Sequence, residues 1–167
     1  NHIAERVIVE MAALFTGGSI SFAESLQSFA ANLREVQPTL FMAVPRIWEK
    51  FQQGILDKTP GYLLHSLLLI PLINTKIKEK IKQVLGLSQA RILLTGAAPI
   101  SGKLLSWFQK LDMEIQEVYG MTENCGGCTL MRKGAIQPGT VGQPLAQVEI
   151  KIAQGTGEIL MRAPWVM

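Results

Sequence analysis

Residues 90–119 read ARILLTGAAPISGKLLSWFQKLDMEIQEVY and hold the pattern that decides the fold. The apolar run 90–95 has the length of a buried strand and stops at a glycine. Apolar residues then recur at helical spacing from Ser101 to Leu111, with Ser101 as the predicted cap, and 114–119 predicts a second strand. A strand followed by a helix and another strand normally belongs to a parallel sheet with helices on its faces. We therefore predict an α/β fold.

The chain upstream repeats this alternation. Apolar spacing predicts helices over 2–15, 24–36, 45–56 and 62–85, the last in two pieces around Pro71, and strands over 19–22 and 39–44. Pro45 suits a first helical position, and Gly86 suits a helix end. These segments extend the predicted parallel sheet with its flanking helices.

From about Cys128 the pattern changes to short segments separated by glycine-rich turns. Residues 140–141, 147–152 and 158–162 predict antiparallel strands of a smaller sheet or barrel. We therefore divide the chain into an α/β sheet portion, 1–127, and the start of a smaller β region, 128–167. Both ends look cut, because the first residues begin inside a helical pattern and the last stop in an apolar run. We expect an interior piece of a longer protein.

Composition narrows the function classes. Of the 167 residues, 48% are hydrophobic and 17% are charged, which favours a folded globular chain. The net charge of +3 is small, and its mild cluster at 76–82 is typical of a solvated helix face, so we expect no nucleic-acid partner. The apolar run 62–73 is shorter than the ~20 residues that cross a bilayer. A buried helix or one lying at an interface fits it better.

Two cysteines, Cys125 and Cys128, form a Cys-Gly-Gly-Cys sequence. A four-ligand zinc site needs another pair of ligands, and the histidines His2 and His65 lack suitable spacing. Metal or redox chemistry stays an alternative. Two reduced thiols in a glycine-rich loop, in a reducing compartment, is the interpretation that we prefer.

Ligands of open parallel sheets bind outside the carboxyl ends of the strands. The small residues Gly96, Ala97, Ala98 and Pro99 follow one predicted strand and leave room for a flat ligand against the backbone. After the next strand, which ends at Tyr119, comes the segment 120–124, and together they combine an aromatic ring, a hydroxyl and a carboxylate.

The segment 119–123 holds the groups that a nucleotide–magnesium site needs. The ring of Tyr119 can stack on a purine, the hydroxyl of Thr122 can bond a phosphate oxygen, and Glu123 supplies an oxygen ligand for Mg²⁺. The alternative is a polar loop whose threonine and glutamate cap the next turn.

This segment, Tyr119-Gly120-Met121-Thr122-Glu123, resembles the Tyr-Gly-x-Thr-Glu signature of the adenylate-forming superfamily, which includes the acyl-CoA synthetases. Residues 96–99 resemble that family's adenine-side loop, and 157–162 resemble its Gly-Glu-Ile-x-x-Arg segment. Residues 1–6 and 44–50 resemble segments of the long-chain fatty acyl-CoA synthetases. The run from Thr122 to Gly127 is similar to the "bubblegum" branch.

The resemblance implies a fatty acid–CoA ligase that uses ATP, Mg²⁺ and coenzyme A. It implies that Thr122 contacts the α-phosphate, that Glu123 holds Mg²⁺ and that Tyr119 lies near the adenine, with Gly120 and Met121 in the same nucleotide loop. It further implies that Gly96, Ala97, Ala98 and Pro99 line the adenine and acyl pocket. His2 would lie beside the substrate carboxylate; a helix-cap histidine is the alternative.

The same resemblance implies that parts of the active site lie outside this chain: a phosphate loop before it, and a ribose-binding aspartate and an adenylation lysine after it. We expect no activity from this piece alone. Another carboxylic acid as substrate and a non-catalytic nucleotide-binding module stay open. We expect a cytoplasmic protein. For Trp48, Phe51 and 63–72, the interpretations are an acyl tunnel, a peripheral membrane contact or core packing.

Overall fold

The computed structural model describes Ile3 and residues 5–166, apart from the side chain of Glu5. This part of the chain falls into two compact units. The first combines the residues up to Ile20 with those from Gln116 onward, and the second runs from Ser21 to Ile115. The division at 127 and 128 that the sequence suggested stays a prediction.

The helical elements occur mainly in the second unit. A π-helical stretch, Glu5–Met11, leads into the first α-helix, and a short 3-10 helix lies at Thr122–Asn124. The α-helices are α1 Ala12–Thr16, α2 Phe29–Val36, α3 Pro45–Leu56, α4 Gly61–Leu68, α5 Pro71–Leu85 and α6 Gly102–Gln109.

The strands confirm most of the predicted segments. They are β1 Leu40–Ala43, β2 Ile92–Thr95, β3 Ile115–Tyr119, β4 Thr129–Leu130, β5 Gln143–Pro144, β6 Glu149–Ile152 and β7 Ile159–Arg162.

In the second unit, β1 and β2 form a parallel pair. Leu40 is aligned with Ile92, and Ala43 with Thr95, so both strands end at the same edge. Three helices, α3 to α5, occur in the chain between these strands, which is the crossover arrangement that the sequence predicts. The predicted α/β class, with parallel strands flanked by helices, is confirmed.

The core of the second unit is built around Trp48 on α3. Its side chain is fully buried, and its ring meets those of Phe41 and Phe108 edge to face, each at a centroid distance of 5.4 Å. Its Nε1 donates a hydrogen bond to the carbonyl of Ala43 at 3.2 Å. Because a buried indole needs both apolar contact and a partner for its N–H, this position fixes α3 against β1. Trp48 therefore belongs to the core, and the hypothesis that it lines an acyl tunnel is wrong.

The apolar run 62–73 forms two helices, α4 and α5, instead of a fully buried segment. Leu64 is 4% exposed, whereas Leu69 is 69% and Leu72 is 87% exposed. Core packing thus explains only part of this run. No helix among the described residues is long and apolar enough to span a membrane.

The first unit is largely antiparallel. β4 pairs with β3 and with β5, and β6 pairs with β7 as a separate two-stranded sheet. The opposed residues Glu149 and Arg162 on β6 and β7 form an exposed ion pair with a bidentate carboxylate. The Glu149 carboxylate raises the pKa of Arg162 through this hydrogen bond and its charge. The predicted small antiparallel sheet is confirmed, and a two-stranded sheet replaces the barrel alternative.

Three local predictions are wrong. Residues 19–22 form no strand, and Phe22 is 73% exposed there. The second helix begins at Phe29 instead of residue 24 because Ser25 and Ser28 form a turn, in which their hydroxyls bond each other and the amide of each donates to the hydroxyl of the other. Residues 140–141 are not a strand; β5 follows at 143–144.

A smaller correction concerns the start of α6. Ser101 occupies the position before the first helical residue, as predicted, but its side chain makes no capping hydrogen bond.

Gly86 gives a test of how α5 is joined to α2. It ends α5 at φ +73, and a Cβ there would lie 2.5 Å from the carbonyl carbon and oxygen of Leu33. Gly86→Ala must adopt a left-handed conformation and also displace the α2 backbone, so we expect the free energy of unfolding to fall by roughly 2–5 kcal/mol.

Gly17 is the matched control, because it ends α1 at φ +69 with nothing within 4 Å of the added Cβ. Gly17→Ala should cost at most roughly 1–2 kcal/mol. Both values are measured by chemical denaturation of the purified protein. Equal losses for the two variants would contradict the proposed clash.

Candidate active site

The predicted nucleotide segment forms a loop that closes on itself after β3. The amide of Cys128 donates to the carbonyl of Tyr119 at 3.0 Å, and the amide of Gly126 donates to the carbonyl of Met121 at 2.8 Å. These backbone bonds fold residues 119–128 into a compact unit without help from the side chains of the signature.

Gly120 is required by this closure. A Cβ at position 120 would overlap the carbonyl group of Gly126, because the two backbone segments run directly against each other. Since the obstacle is backbone and not a flexible side chain, it cannot move aside cheaply. The glycine of the signature is therefore explained by packing within the loop.

The hydroxyl of Thr122 and the carboxylate of Glu123 are presented to solvent. Both residues are exposed, whereas the next residue, Asn124, is fully buried. Within the part of the chain that the structure describes, neither side chain of the pair caps the 3-10 helix; the Oδ1 of Asn124 accepts the Met121 N–H at 2.9 Å instead. The alternative that threonine and glutamate serve as turn caps is wrong, and both groups are free to meet a ligand.

Glu123 fits a magnesium ion that arrives with phosphates. No cluster of three or more histidine, cysteine, aspartate or glutamate side chains lies within the described ranges. Mg²⁺, however, is usually bound through one or two carboxylates together with substrate phosphates and water, and not by an all-protein cage. A single exposed carboxylate beside a hydroxyl is the donor set that such a site requires from the protein.

The second predicted segment follows β2 in the other compact unit. Gly96 is buried, whereas Ala97, Ala98 and Pro99 are exposed, and Ala97 adopts φ +63. The left-handed backbone at Ala97 turns the chain sharply and leaves small side chains at the surface. Whether this turn and the Thr122–Glu123 pair share one crevice stays a prediction, as do the nucleotide contacts assigned to the turn.

The remaining predicted residues have different outcomes. Tyr119 is half-buried at the end of β3, and Met121 is 37% exposed in the same loop, so both lie beside the exposed pair. Their contacts with a nucleotide stay predictions. His2 lies outside the described residues.

The contacts that hold the loop to Met161 and Trp165 were not predicted from the sequence. The side-chain amide of Asn124 donates to the sulfur of Met161 at 3.5 Å, and the indole of Trp165 donates to the carbonyl of Gly127 at 3.3 Å. The thiol of Cys125 donates to the carbonyl of Trp165 at 3.6 Å. These partners lie about 40 positions away in the sequence, so local patterns do not reveal them.

Cys125 and Cys128 are both free thiols with different surroundings. Cys125 is half-buried, whereas Cys128 is fully buried, and burial raises the pKa of the Cys128 thiol. The raised pKa makes Cys128 a poor metal ligand, since the thiolate is the binding form.

A family model described as AMP-binding enzyme matches residues 1–167, which is the whole chain. This chain belongs to the AMP-binding enzyme family. The predicted membership of the adenylate-forming superfamily is thereby confirmed.

The relatives of this AMP-binding chain include fatty acid ligases. It is 32% identical to the Xenopus laevis "Long-chain-fatty-acid–CoA ligase ACSBG2", with 96% of this chain and 26% of the relative covered. Identity to the Mycobacterium tuberculosis "Putative fatty-acid–CoA ligase fadD11" is 29%, with 99% and 34% covered. The chain thus spans about a quarter to a third of the length of these relatives. The match to ACSBG2 fits the predicted bubblegum-like branch.

The fold is shared with a solved structure. The O-succinylbenzoate coenzyme A synthetase from Bacillus subtilis, in complex with ATP and magnesium ion, matches with a TM-score of 0.65 and 21% identity. The match covers 99% of this chain and 31% of that one. At this identity the comparison shows the fold of an AMP-binding enzyme.

The two thiols give a test of the loop. Because the thiolate is the reactive form, we expect a thiol reagent such as DTNB to modify Cys125 in the native protein and Cys128 only after unfolding. Cys125→Ser should abolish the native-state reaction, and Cys128→Ser should leave it unchanged. Rapid native modification of the Cys125→Ser variant would contradict this assignment.

The raised pKa of Cys128 also predicts the direction of a pH effect. The folded protein holds this proton more tightly than the unfolded chain, so the contribution to stability is complete below the ordinary thiol pKa of about 8.5 and is lost as the pH rises above it. Denaturation curves should show a smaller alkaline loss of stability for Cys128→Ala than for the wild type. An identical loss would contradict the burial effect.

Proposed function

We propose that the protein to which this chain belongs is an ATP-dependent long-chain fatty acid–CoA ligase. The exposed hydroxyl–carboxylate pair of Thr122 and Glu123 supports this function most directly, because the loop fixes it without using either side chain. The names of the relatives support a fatty acid as the substrate.

The proposed reaction has two steps. A carboxylate oxygen of the fatty acid attacks the α-phosphorus of ATP, and the bond to the β-phosphate oxygen breaks to release pyrophosphate. The thiol sulfur of coenzyme A then attacks the acyl carbon, AMP leaves, and the thiol proton is lost to solvent or to a base. Catalysis of the first step rests on positioning and on charge stabilisation.

Each residue of the loop has a proposed role in the first step. The Thr122 hydroxyl donates to an α-phosphate oxygen, and the Glu123 carboxylate holds Mg²⁺, which neutralises charge on the phosphates. The half-buried ring of Tyr119 lies near the adenine, with Gly120 and Met121 completing the loop. From the resemblance alone we further propose that Gly96, Ala97, Ala98 and Pro99 serve the adenine and acyl pocket, and that His2 serves the substrate carboxylate.

The activity is proposed for the longer protein. This chain spans about a quarter to a third of the length of its relatives, and we propose that the rest of the ATP and coenzyme A sites lies elsewhere in the full-length protein. Pyrophosphate exchange by the isolated chain at the rate of the full-length enzyme would overturn this part of the proposal.

Two alternatives to the fatty acid reaction are distinguished by one assay. Exchange between ATP and pyrophosphate that depends on an added carboxylic acid is measured on the full-length protein. The acids compared are palmitate, aromatic acids and amino acids. Exchange with palmitate is the expected result. Exchange with another acid alone would reassign the substrate, and none with any acid would favour a non-catalytic nucleotide-binding module.

Substitution of the exposed pair tests its role in the full-length enzyme. Thr122→Val and Glu123→Gln each remove one charge-assisted interaction, typically worth about 1.5–3 kcal/mol, so we expect roughly a 10- to 100-fold lower exchange rate. Glu79→Gln, at an exposed carboxylate on α5, is the control and should change the rate less than about twofold. Unchanged rates for both loop variants would refute the proposed site.

We further propose that α4 and α5 contact an anionic lipid surface. Leu69 and Leu72 are strongly exposed where the two helices meet, and α5 continues with four lysines and one glutamate over residues 76–82. Exposed apolar side chains beside basic ones suit the boundary between lipid headgroups and acyl chains. A long acyl substrate would be drawn from such a surface.

The free thiols support a cytoplasmic location, which cell fractionation tests.

Liposome co-sedimentation of the full-length protein tests this contact. The double variant Leu69→Asp with Leu72→Asp should bind vesicles of phosphatidylcholine and phosphatidylserine at least about tenfold more weakly, since each leucine contributes about 1.5–3 kcal/mol when buried. Leu26→Asp is the control, because Leu26 is 91% exposed at a site without the lysine run. Equal binding by the wild type and the double variant removes the membrane proposal.

A further inference from the structure

Asn124 is a buried amide directly beside two exposed catalytic candidates. Its relative exposure is 0%, although Thr122 and Glu123 precede it in the same 3-10 helix. Burying an amide costs free energy unless its donor and acceptor are both satisfied. The position therefore needs partners that a solvent-facing loop residue does not need.

The partners of Asn124 come from two parts of the first unit. Its Oδ1 accepts the Met121 N–H at 2.9 Å, and its Nδ2 donates to the Sδ of Met161 on β7 at 3.5 Å. Its backbone carbonyl accepts the amide of Gly127 at 3.1 Å. One residue thus fixes the start of the 3-10 helix, the end of the loop and the contact of both with β7.

Two other buried polar side chains of this unit have a different arrangement. Gln116 and Thr129 lie on β3 and β4, and each donates to a single main-chain carbonyl, of Met131 and Val141 respectively. Those bonds stabilise the sheet, whereas the bonds of Asn124 determine where the exposed pair points. Because the pair itself makes no capping bond, its direction depends on the backbone that Asn124 holds.

We propose that Asn124 is a positioning residue for the nucleotide–magnesium site. This inference rests on the function proposed above for Thr122 and Glu123. The acceptor bond to the Met121 N–H holds the first turn of the 3-10 helix, so the hydroxyl and the carboxylate stay aimed at one ligand. Loss of that acceptor lets both groups sample other directions, which weakens binding of Mg·ATP without touching the acyl site.

Binding and exchange assays on the full-length protein test the role. Asn124→Ala should raise the Kd for Mg·ATP, and the Mg²⁺ concentration for half-maximal exchange, by about tenfold or more, with the KM for palmitate within twofold. Asn124→Ser keeps a neutral oxygen on a shorter side chain and should fall between wild type and alanine. Thermal melting and circular dichroism establish that each variant folds, and the serine variant carries the test if the alanine variant does not fold.

Two further variants separate positioning from stability. Met161→Leu keeps the apolar volume and removes only the weak sulfur acceptor, so its Kd for Mg·ATP should change less than about threefold. Asn74→Ala removes a half-buried amide that bonds the carbonyl of Leu68 in the second unit. It should lower the melting temperature and leave Mg·ATP binding within twofold.

The outcomes distinguish this inference from the proposed function. A folded Asn124 variant that melts earlier than wild type yet binds Mg·ATP within twofold of it would overturn the positioning role. A wild-type protein that binds Mg·ATP but exchanges pyrophosphate with no acid would overturn the ligase function, and the binding comparison would still decide the role of Asn124. Absence of Mg·ATP binding by the wild type would overturn both.

Discussion

The contact between the backbones of Gly120 and Gly126 is the constraint on which the candidate site depends. No other residue can stand at position 120 without displacing the carbonyl group of Gly126. The contact lets the amides of Gly126 and Cys128 reach the carbonyls of Met121 and Tyr119. A loop closed through its own backbone can leave its side chains unused, and the side chains that it leaves at the surface include a hydroxyl and a carboxylate.

In the second unit, a predicted site segment is held by side-chain packing instead of by a backbone contact. The buried ring of Trp48 and its hydrogen bond to Ala43 fix α3 against the last residue of β1, and the parallel register places Thr95 opposite Ala43. The small-residue turn at 96–99 therefore follows the end of β2, which is paired with a strand that the aromatic core holds in place. Aromatic pairs of this geometry contribute about 0.5–1.5 kcal/mol each beyond their buried area, so the strand end is among the well-anchored parts of this unit.

Much of the fold could be predicted because its signals are local. Pro45 opens α3, Gly86 ends α5, and the apolar run before Gly96 is β2, each from chemistry within a few residues. Other features depend on contacts that the sequence does not reveal. The serine pair that delays α2 competes with a helical pattern, and the two-residue strand β4 exists only through its pairing with β3 and β5.

The same distinction applies to the site. The residue types of 119–123 indicated a nucleotide and a metal, and the structure adds that, in the part of the chain that it describes, neither Thr122 nor Glu123 caps the 3-10 helix. Asn124 belonged to the predicted segment but had no predicted role, because its role comes from burial and from Met161 on a strand far along the chain. Sequence patterns identify the side chains that can take part in a reaction. The residues that position those side chains become visible only from tertiary packing.

The exposure of Glu123 also bears on the order of binding. A carboxylate and a divalent cation 4 Å apart attract by only about 2 kcal/mol in water, against about 8 kcal/mol at the effective dielectric constant of a protein surface. One exposed carboxylate therefore holds a free Mg²⁺ ion weakly, and a rigid loop does not change that. Phosphate oxygens supply the missing charge, and covering the site removes the water that screens it. For the proposed site, this exposure would favour arrival of Mg²⁺ together with the nucleotide, and Glu123 would position an ion that the phosphates already hold.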